Sequence, residues 1–386
     1  MLPRSLFGML TVSFQPKTIF FGFGALGKVE EAVHLLRGLR PLIVADGGIA
    51  KAGLPGKIAE ALGSRTSVYS EFSGEPNIHL TEELAKVVRT SRFDVVIGVG
   101  GGSSLDAAKI ASILATNTGG VLSYLDAPRP NPPLPKILLP TTAGSGSETS
   151  SFAVFRCDDG VKRYLYGPDV VADVAIIDPA LTRTCPRPVA AASGVDALST
   201  GMEAYLSKLH SPLSDLYAVE TVELCHRFLV RAVKDADDDD ALSGMSLAAS
   251  LSGVAASTPA AVNIGHCIAE TVGPLYDIPH GKAVAATLPY MVEFNKEACR
   301  ERLQLLARRL ELDDAQAIVN WLKATIKEVG LPSGFRHMGV PRADLPKLAE
   351  LVFKKRQYEC GLPDVNPAPV TEAGVIELIR KSWAGE

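Results

Sequence analysis

The chain has 386 residues, 47% of them hydrophobic, which is enough for a sizeable core and roughly two or three domains. Lys and Arg number 39 against 43 Asp and Glu, a net charge of −4, so there is no electrostatic case for nucleic acid or an anionic membrane as partner. No apolar stretch approaches the roughly 20 residues of a membrane span.

The opening MLPRSLFGMLTVSF carries a short apolar run with no small-residue cleavage site after it, and reads as a flexible extension. Short apolar runs then alternate with amphipathic stretches. Strands are expected at 41–46 (PLIVAD), 66–72, 94–100 (DVVIGVG), 136–142 (KILLPTT) and 171–179 (VADVAIIDP), with helices at 54–62, 81–91 and 104–116. Apolar strands separated by helices imply a parallel sheet covered on both faces. Residues 153–157 and 162–167 are expected to form a hairpin across Asp158-Asp159-Gly160. After Pro188 alanine-rich helical patterns take over, at 196–206, 212–233, 241–257, 261–272, 283–295, 298–310, 313–329, 343–354 and 371–382. Pro179, Pro186 and Pro188 punctuate the change, so the expected division is 1–183 as an α/β domain and 184–386 as an all-helical one. The acidic run at 237–240 lacks the spaced ligands and glycine of a calcium loop and reads as a solvated interhelical loop. The six cysteines are scattered, with no CxxC, which suggests reduced thiols and a cytoplasmic protein.

Three features point to a dinucleotide. Gly98, Gly100, Gly101 and Gly102 follow a buried strand, and Ser103 stands where the next helix begins. Glycine lets the backbone approach a pyrophosphate, whose charge the free N–H groups at a helix start favour. Asp106 counts with them as a cofactor-binding candidate; the same residues also fit plain strand–helix packing, with Ser103 as an N-cap and Asp106 as the acidic residue of a first turn. Thr141, Thr142 and Ser147 in PTTAGSGSE follow the strand KILLP, where open α/β sheets bind ligands; a polar loop with a helix cap accounts for them equally. Asp46 closes the first buried strand. A carboxylate there accepts from ribose hydroxyls and repels a 2′-phosphate, favouring NAD with NADP as the alternative; otherwise it is a turn residue before Gly47-Gly48.

The second half carries Asp196, His266 and His280, and two imidazoles with one carboxylate are the minimum for an open divalent-metal site. Asp196 and Thr200 are four apart and share a helix face. His266 and His280 are 14 apart, too far for a local HExxH motif, and a lone buried histidine is more often a hydrogen-bonded core residue. Cys267 adjoins His266, but a helical neighbour points about 100° away, so it reads as core packing. Lys162 is a candidate for holding an acidic group of a substrate, against the plainer alternative of a solvated lysine.

Taken together, FFGFGALGKVEE, GGGSSLDAAK, PTTAGSGSE, VADVAIIDPALT, GVDALSTGMEAYLS and LYDIPHGKAVAATLP resemble, in order, the iron-containing (group III) alcohol dehydrogenase family over nearly the whole chain. The resemblance implies an N-terminal Rossmann-like α/β domain and an all-helical C-terminal domain, a dehydroquinate synthase-like architecture with Fe2+ or Zn2+ in the cleft between them. It implies interconversion of a small alcohol and its aldehyde or ketone with NAD(H) or NADP(H). By position it assigns Gly100 to Ser103 to the pyrophosphate, Thr141 and Thr142 to the adenosine half, Ser147 and Asp46 to the cofactor, and Asp196, His266 and His280 to the metal. It also implies a homo-oligomer, with the entry strand around 17–23 as a pairing candidate. Two positions depart from the family pattern. Thr200 stands where a histidine ligand is usual, and Glu270 stands where a histidine close to the nicotinamide is usual. Glu270 is therefore a candidate proton acceptor, or a replacement ligand, beside His280 and Lys162 as catalytic candidates. The rival readings are a catalytically altered or metal-free family member that reduces an acidic or phosphonylated aldehyde, a lyase or cyclase resembling dehydroquinate synthase, and a non-catalytic nucleotide-binding protein.

Overall fold

The structure is a computed structural model describing residues 11–125, 129–158, 160–260 and 262–385. The first ten residues of the expected N-terminal extension, and Asp159 of the expected hairpin turn, lie outside the described residues. The chain forms two compact units, residues 14–185 and residues 186–385 with 11–13.

The first unit holds strands β1 (Thr18–Phe21), β2 (Pro41–Val44), β3 (Ser67–Tyr69), β4 (Val95–Gly100), β5 (Lys136–Pro140), β6 (Phe152–Arg156), β7 (Lys162–Tyr166) and β8 (Val174–Ile177). Its helices are α1 (Val29–Leu35), α2 (Gly47–Lys51), α3 (Leu54–Leu62), α4 (Ile78–Ser91) and α5 (Gly102–Thr116). Six strands form one sheet in the order β1-β8-β5-β4-β2-β3, every pairing parallel. Successive side chains of a strand point to opposite faces. Ile43, Ile97, Val99, Ile137 and Ile176 accordingly pack with Val33 of α1 and Ile58 of α3. Leu42, Val44, Val96 and Leu138 pack on the other face with Leu84 and Val88 of α4 and Leu105 and Ala108 of α5. Each of the Val, Leu and Ile side chains contributes about 1.5–3 kcal/mol by its burial. Because both faces are covered, β2, β4, β5 and β8 are buried at every position and show no polar alternation. The connection leaving β2 passes through α3 on one face, and the one leaving β4 passes through α5 on the other. The carboxyl ends of these neighbouring strands thus flank the switch point where open sheets bind ligands. The expected hairpin is present: β6 and β7 pair antiparallel, with Phe152 opposite Tyr166 and Arg156 opposite Lys162.

The second unit holds α6 (Arg187–Leu206), α7 (Pro212–Lys234), α8 (Asp239–Ala256), α9 (Ile264–Leu275), α10 (His280–Asn295), α11 (Arg300–Arg309), α12 (Ala315–Glu328), α13 (Leu345–Leu351), α14 (Gln357–Glu359), α15 (Leu362–Val365) and α16 (Glu372–Ala384), and among the described residues no strand. Helix α6 is its axis: every residue from Gly194 to Leu206 is buried, against α7, α8 and α10. The helix expected at 343–354 instead passes from α13 into a wider π-turn at 352–356. The acidic run at 237–240 is not wholly loop, because Asp238 caps α8 by accepting the amide of Ala241 at 3.1 Å, and Asp239 and Asp240 form its first turn. Among the described residues no helix is long and apolar enough to cross a membrane.

Candidate functional site

In the helical unit α6 carries Asp196, α9 carries His266, and His280 is the first residue of α10. Close packing brings them together. A Cβ on Gly281 would lie 2.4 Å from the carbonyl oxygen of Ala192, so only glycine lets the start of α10 come this near to α6, one turn from Asp196. His266 Nε2 stands 3.3 Å from Asp196 Oδ1, and His280 Nε2 stands 3.5 Å from the same oxygen. One donor atom from each of the three lies within 4.8 Å of the others. The two rings are tilted by 55° with centroids 5.5 Å apart. His266 and Asp196 are buried, while the His280 side chain keeps 27% of its surface.

Donor spacing tests whether a metal fits. Nitrogen and oxygen ligands at about 2.0–2.2 Å from a tetrahedral ion stand roughly 3.3–3.6 Å from one another, the separation each histidine already shows from Asp196, with all three donors within 4.8 Å. Charge points the same way. Asp196 and Glu203 are two buried carboxylates facing imidazoles. Burial opposes a charge on His266, but Glu203 and Asp196 outweigh it and hold the ring well above the ordinary imidazole range. The cluster therefore demands positive charge, from ring protons or from a cation.

Two further candidates behave differently. Thr200 lies on the same face of α6, one turn beyond Asp196, and is buried. Glu270, one turn beyond His266 on α9, is directed to Arg356, 4.0 Å from Nη2, and does not belong to the group of converging donors among the described residues. Arg356 also donates to Thr271 Oγ1 at 3.3 Å and pairs with Glu359. Cys267 is buried and outside the donor group, as core packing requires. Glu203 was not singled out by sequence reasoning. It follows Asp196 by two turns on α6, is fully buried, and accepts from Asn263 N, from His266 N at 3.5 Å and from Ser199 Oγ at 3.1 Å, with His266 Nδ1 2.7 Å away. The available signal was its spacing of seven from Asp196, which keeps it on the same helix face.

In the α/β unit the carboxyl ends of β2 and β4 are bridged. Ser104 Oγ accepts from Asp46 N at 3.0 Å and donates to Asp46 Oδ2 at 3.1 Å. Asp46 is more than a turn residue: its Oδ1 caps α2 by accepting from Gly48 N at 2.8 Å and Ile49 N at 3.2 Å. Gly100 has φ +143°, and a Cβ there would meet Ser104 Oγ at 2.6 Å. Helix α5 begins at Gly102 with Gly101 as its N-cap and no side chain capping it; the Ser104 amide turns back to the Gly101 carbonyl at 3.0 Å, which leaves the amides of Gly102 and Ser103 as the ones suited to an anion. Ser103 is therefore inside the first turn rather than the cap. Asp106 lies beyond that turn and is a buried anchor instead. It accepts from Ser147 Oγ at 2.6 Å and Val154 N at 3.1 Å, and pairs with Lys109 at 3.7 Å. Lys109 in turn donates to Ser150 O, Ser150 Oγ and Phe152 O at 3.1, 3.1 and 2.6 Å. Burial pushes Lys109 down to about 8 and raises Asp106, each against the pull of the other. Asp106 and Lys109 thus fasten the loop after β5 to α5, and the Ser147 hydroxyl is spent on that fastening. Thr141 accepts nothing and donates nothing through its buried Oγ1 among the described residues, while Thr142 beside it is half-buried. Lys162 pairs with Glu75 and keeps 8% of its side-chain surface, so it is not a free solvated cation.

Comparison with known proteins agrees with both halves. Residues 16–179 match the family model described as iron-containing alcohol dehydrogenase, and residues 190–383 match that of the Fe-containing alcohol dehydrogenase family, C-terminal. The chain is 32% identical over 385 residues to long-chain-alcohol dehydrogenase 1 of Geobacillus thermodenitrificans (strain NG80-2), covering 96% of each chain. Among solved structures, 1,3-propanediol oxidoreductase superposes with a TM-score of 0.91 at 29% identity, covering 97% of this chain and 100% of the other. Sulfoacetaldehyde reductase from Bifidobacterium kashiwanohense, solved with NAD+, gives 0.89 at 26% identity, covering 97% and 98%.

Proposed function

The chain belongs to the iron-containing alcohol dehydrogenase family and is thus an oxidoreductase, and on that premise we propose that it interconverts a small alcohol and its carbonyl compound with NAD(H), using a divalent metal held by Asp196, His266 and His280. The observation that carries this reading is the convergence of those three donors from three helices, at spacings that suit one ion. A bound nicotinamide would supply or accept the hydride, and a metal held by Asp196, His266 and His280 would polarise the substrate oxygen. The chain's own work is to bind and to orient. Gly100, Gly101, Gly102 and Ser103 offer the amide end of α5 to a pyrophosphate, with Thr141 and Thr142 beside it at the end of β5. Asp46 sits at the switch point with its carboxylate fixed by Ser104 and α2, which favours NAD over the 2′-phosphorylated cofactor. Asp106 and Ser147 act one step back, holding the loop. Glu270, paired with Arg356, and Lys162, paired with Glu75, are charge-compensated, so neither is assigned the role of proton donor. Fe2+ and Zn2+ both suit two imidazoles and a carboxylate.

The test is elemental analysis of protein purified without added metal, beside NADH and NADPH consumption with short aldehydes, ketones and one sulfonated aldehyde. Expected are about one equivalent of iron or zinc, faster turnover with NADH, and loss of at least about 100-fold in kcat/KM on chelation or in His280→Ala, some 2.7 kcal/mol of transition-state stabilisation. Activity untouched by chelator and by His280→Ala removes the metal from the mechanism. Tight NAD binding with no turnover of any carbonyl and no metal favours the non-catalytic reading instead.

A further inference from the structure

We propose that Glu203 is a positioning residue that keeps the ring proton of His266 on Nδ1, so that Nε2 presents its lone pair to a divalent metal; the proposal rests on the metal reading of Asp196, His266 and His280. Glu203 has no exposed surface and lies at the start of α9, where a buried carboxylate meets the positive end of a helix. Its two oxygens have different tasks. Oε2 takes the amides of Asn263 and His266, the latter at 3.5 Å. Backbone amides only donate, so whatever atom occupies that place has to accept. Oε1 takes the Ser199 hydroxyl at 3.1 Å and faces His266 Nδ1 at 2.7 Å. A carboxylate oxygen cannot donate, so Nδ1 must carry a proton. Nε2, 3.3 Å from Asp196 Oδ1 and on the side of His280, is then the nitrogen left to bind a cation.

Glutamine at this place has nearly the same shape and the opposite effect. The two amides hold its carbonyl oxygen where Oε2 was, which puts its NH2 where Oε1 was. One N–H then donates to His266 Nδ1, and the Ser199 hydroxyl rotates to accept the other. The ring proton moves to Nε2 and donates to Asp196 Oδ1. The two backbone amides, the side-chain amide and both ring nitrogens each keep a partner, and only the Ser199 hydroxyl proton has to find a new acceptor, so the variant is expected to fold while a proton occupies the place of the ion.

The experiment uses full-length Glu203→Gln and Glu203→Asp beside wild type, each stripped of metal and titrated with Co2+ and Zn2+ against a competing chelator. In parallel, 15N–1H NMR of histidine-labelled protein reads whether Nδ1 of His266 carries a proton. Expected for the Gln variant are an unchanged unfolding midpoint of the metal-free protein, Co2+ affinity lower by about 10–100-fold, and an Nδ1 without a proton. Glu203→Asp keeps an acceptor-only side chain, so it retains the Nδ1 proton and recovers part of the affinity. Wild-type Co2+ affinity in the Gln variant, or an Nδ1 proton retained there, overturns the assignment. If wild type takes up neither Co2+ nor Zn2+, it is the metal reading that fails, and the NMR readings still decide what Glu203 does to the ring.

Discussion

His280 reaches Asp196 because one residue beside it has no side chain. A Cβ on Gly281 would stand 2.4 Å from the Ala192 carbonyl oxygen and 2.7 Å from its carbon, and backbone atoms of a fully packed helix do not step aside. Gly281→Ala is expected to push the start of α10 away from α6, at an overpacking cost of about 1–3 kcal/mol, and to weaken metal binding as His280 Nε2 leaves its 3.5 Å contact. Denaturant unfolding and a chelator competition read the two effects, and a variant unchanged in both shows that α10 is not held by this approach. The residues that carry charge or imidazole were legible as candidates from their types and spacing, and the fold brings Asp196, His266 and His280 together. Glu203 was not, since a glutamate inside an alanine-rich helix gives no sign of what faces it until α9 is packed alongside. The anchoring contacts of Asp106 were hidden for a similar reason: its partners, Ser147 and Val154, lie 41 and 48 residues away. Chemical type is a local property, whereas a hydrogen-bond partner is set by packing.

Among the elements, the strands buried on both faces were the easiest to place, because burial on two sides turns the whole segment apolar: PLIV, VVIGVG, KILLP and VAII. Helix α3 was legible to its ends, with the residues 54–62 bounded by Gly53 and Gly63 at positive φ. The five-residue helix α2 was missed, as it spans little more than one turn and exists through its cap. That cap makes Asp46 answerable for two things at once. Asp46→Ala removes the acceptor for Gly48 N and Ile49 N and the partner of Ser104, which is expected to lower stability by about 1 kcal/mol. On the proposed reading the same change removes the carboxylate that repels a 2′-phosphate, so the ratio of kcat/KM for NADH over NADPH is expected to fall by about tenfold or more, roughly 1.4 kcal/mol. Thermal melting measures the first effect and paired cofactor kinetics the second. A loss of stability with an unchanged cofactor ratio confines Asp46 to capping.

Over the whole chain, the two units present ligands of opposite charge with opposite equipment. Residues 14–185 offer amide N–H groups at the head of α5 to an anion, and residues 186–385 offer buried carboxylates and imidazoles to a cation. A ligand that binds only the folded form stabilises it by mass action, about 2.7 kcal/mol when present at a hundredfold excess over its dissociation constant. Local protection follows the elements a ligand ties together, because opening them costs the binding energy as well. Amide hydrogen exchange on the intact protein therefore separates the two sites. Added Zn2+ or Fe2+ is expected to slow exchange in α6 around 194–203, at the start of α9 and at the start of α10, and to leave β2, β4 and α5 unchanged. Added NAD+ is expected to slow exchange at 98–104 and 141–147 without needing the metal. Metal protection that falls on the first unit, or NAD+ protection that falls only on the helices, contradicts the assignment of each ligand to its unit. Protection of α6 by metal that disappears in His280→Ala while NAD+ protection stays intact ties the cation to its three donors and the nucleotide to the glycine turn.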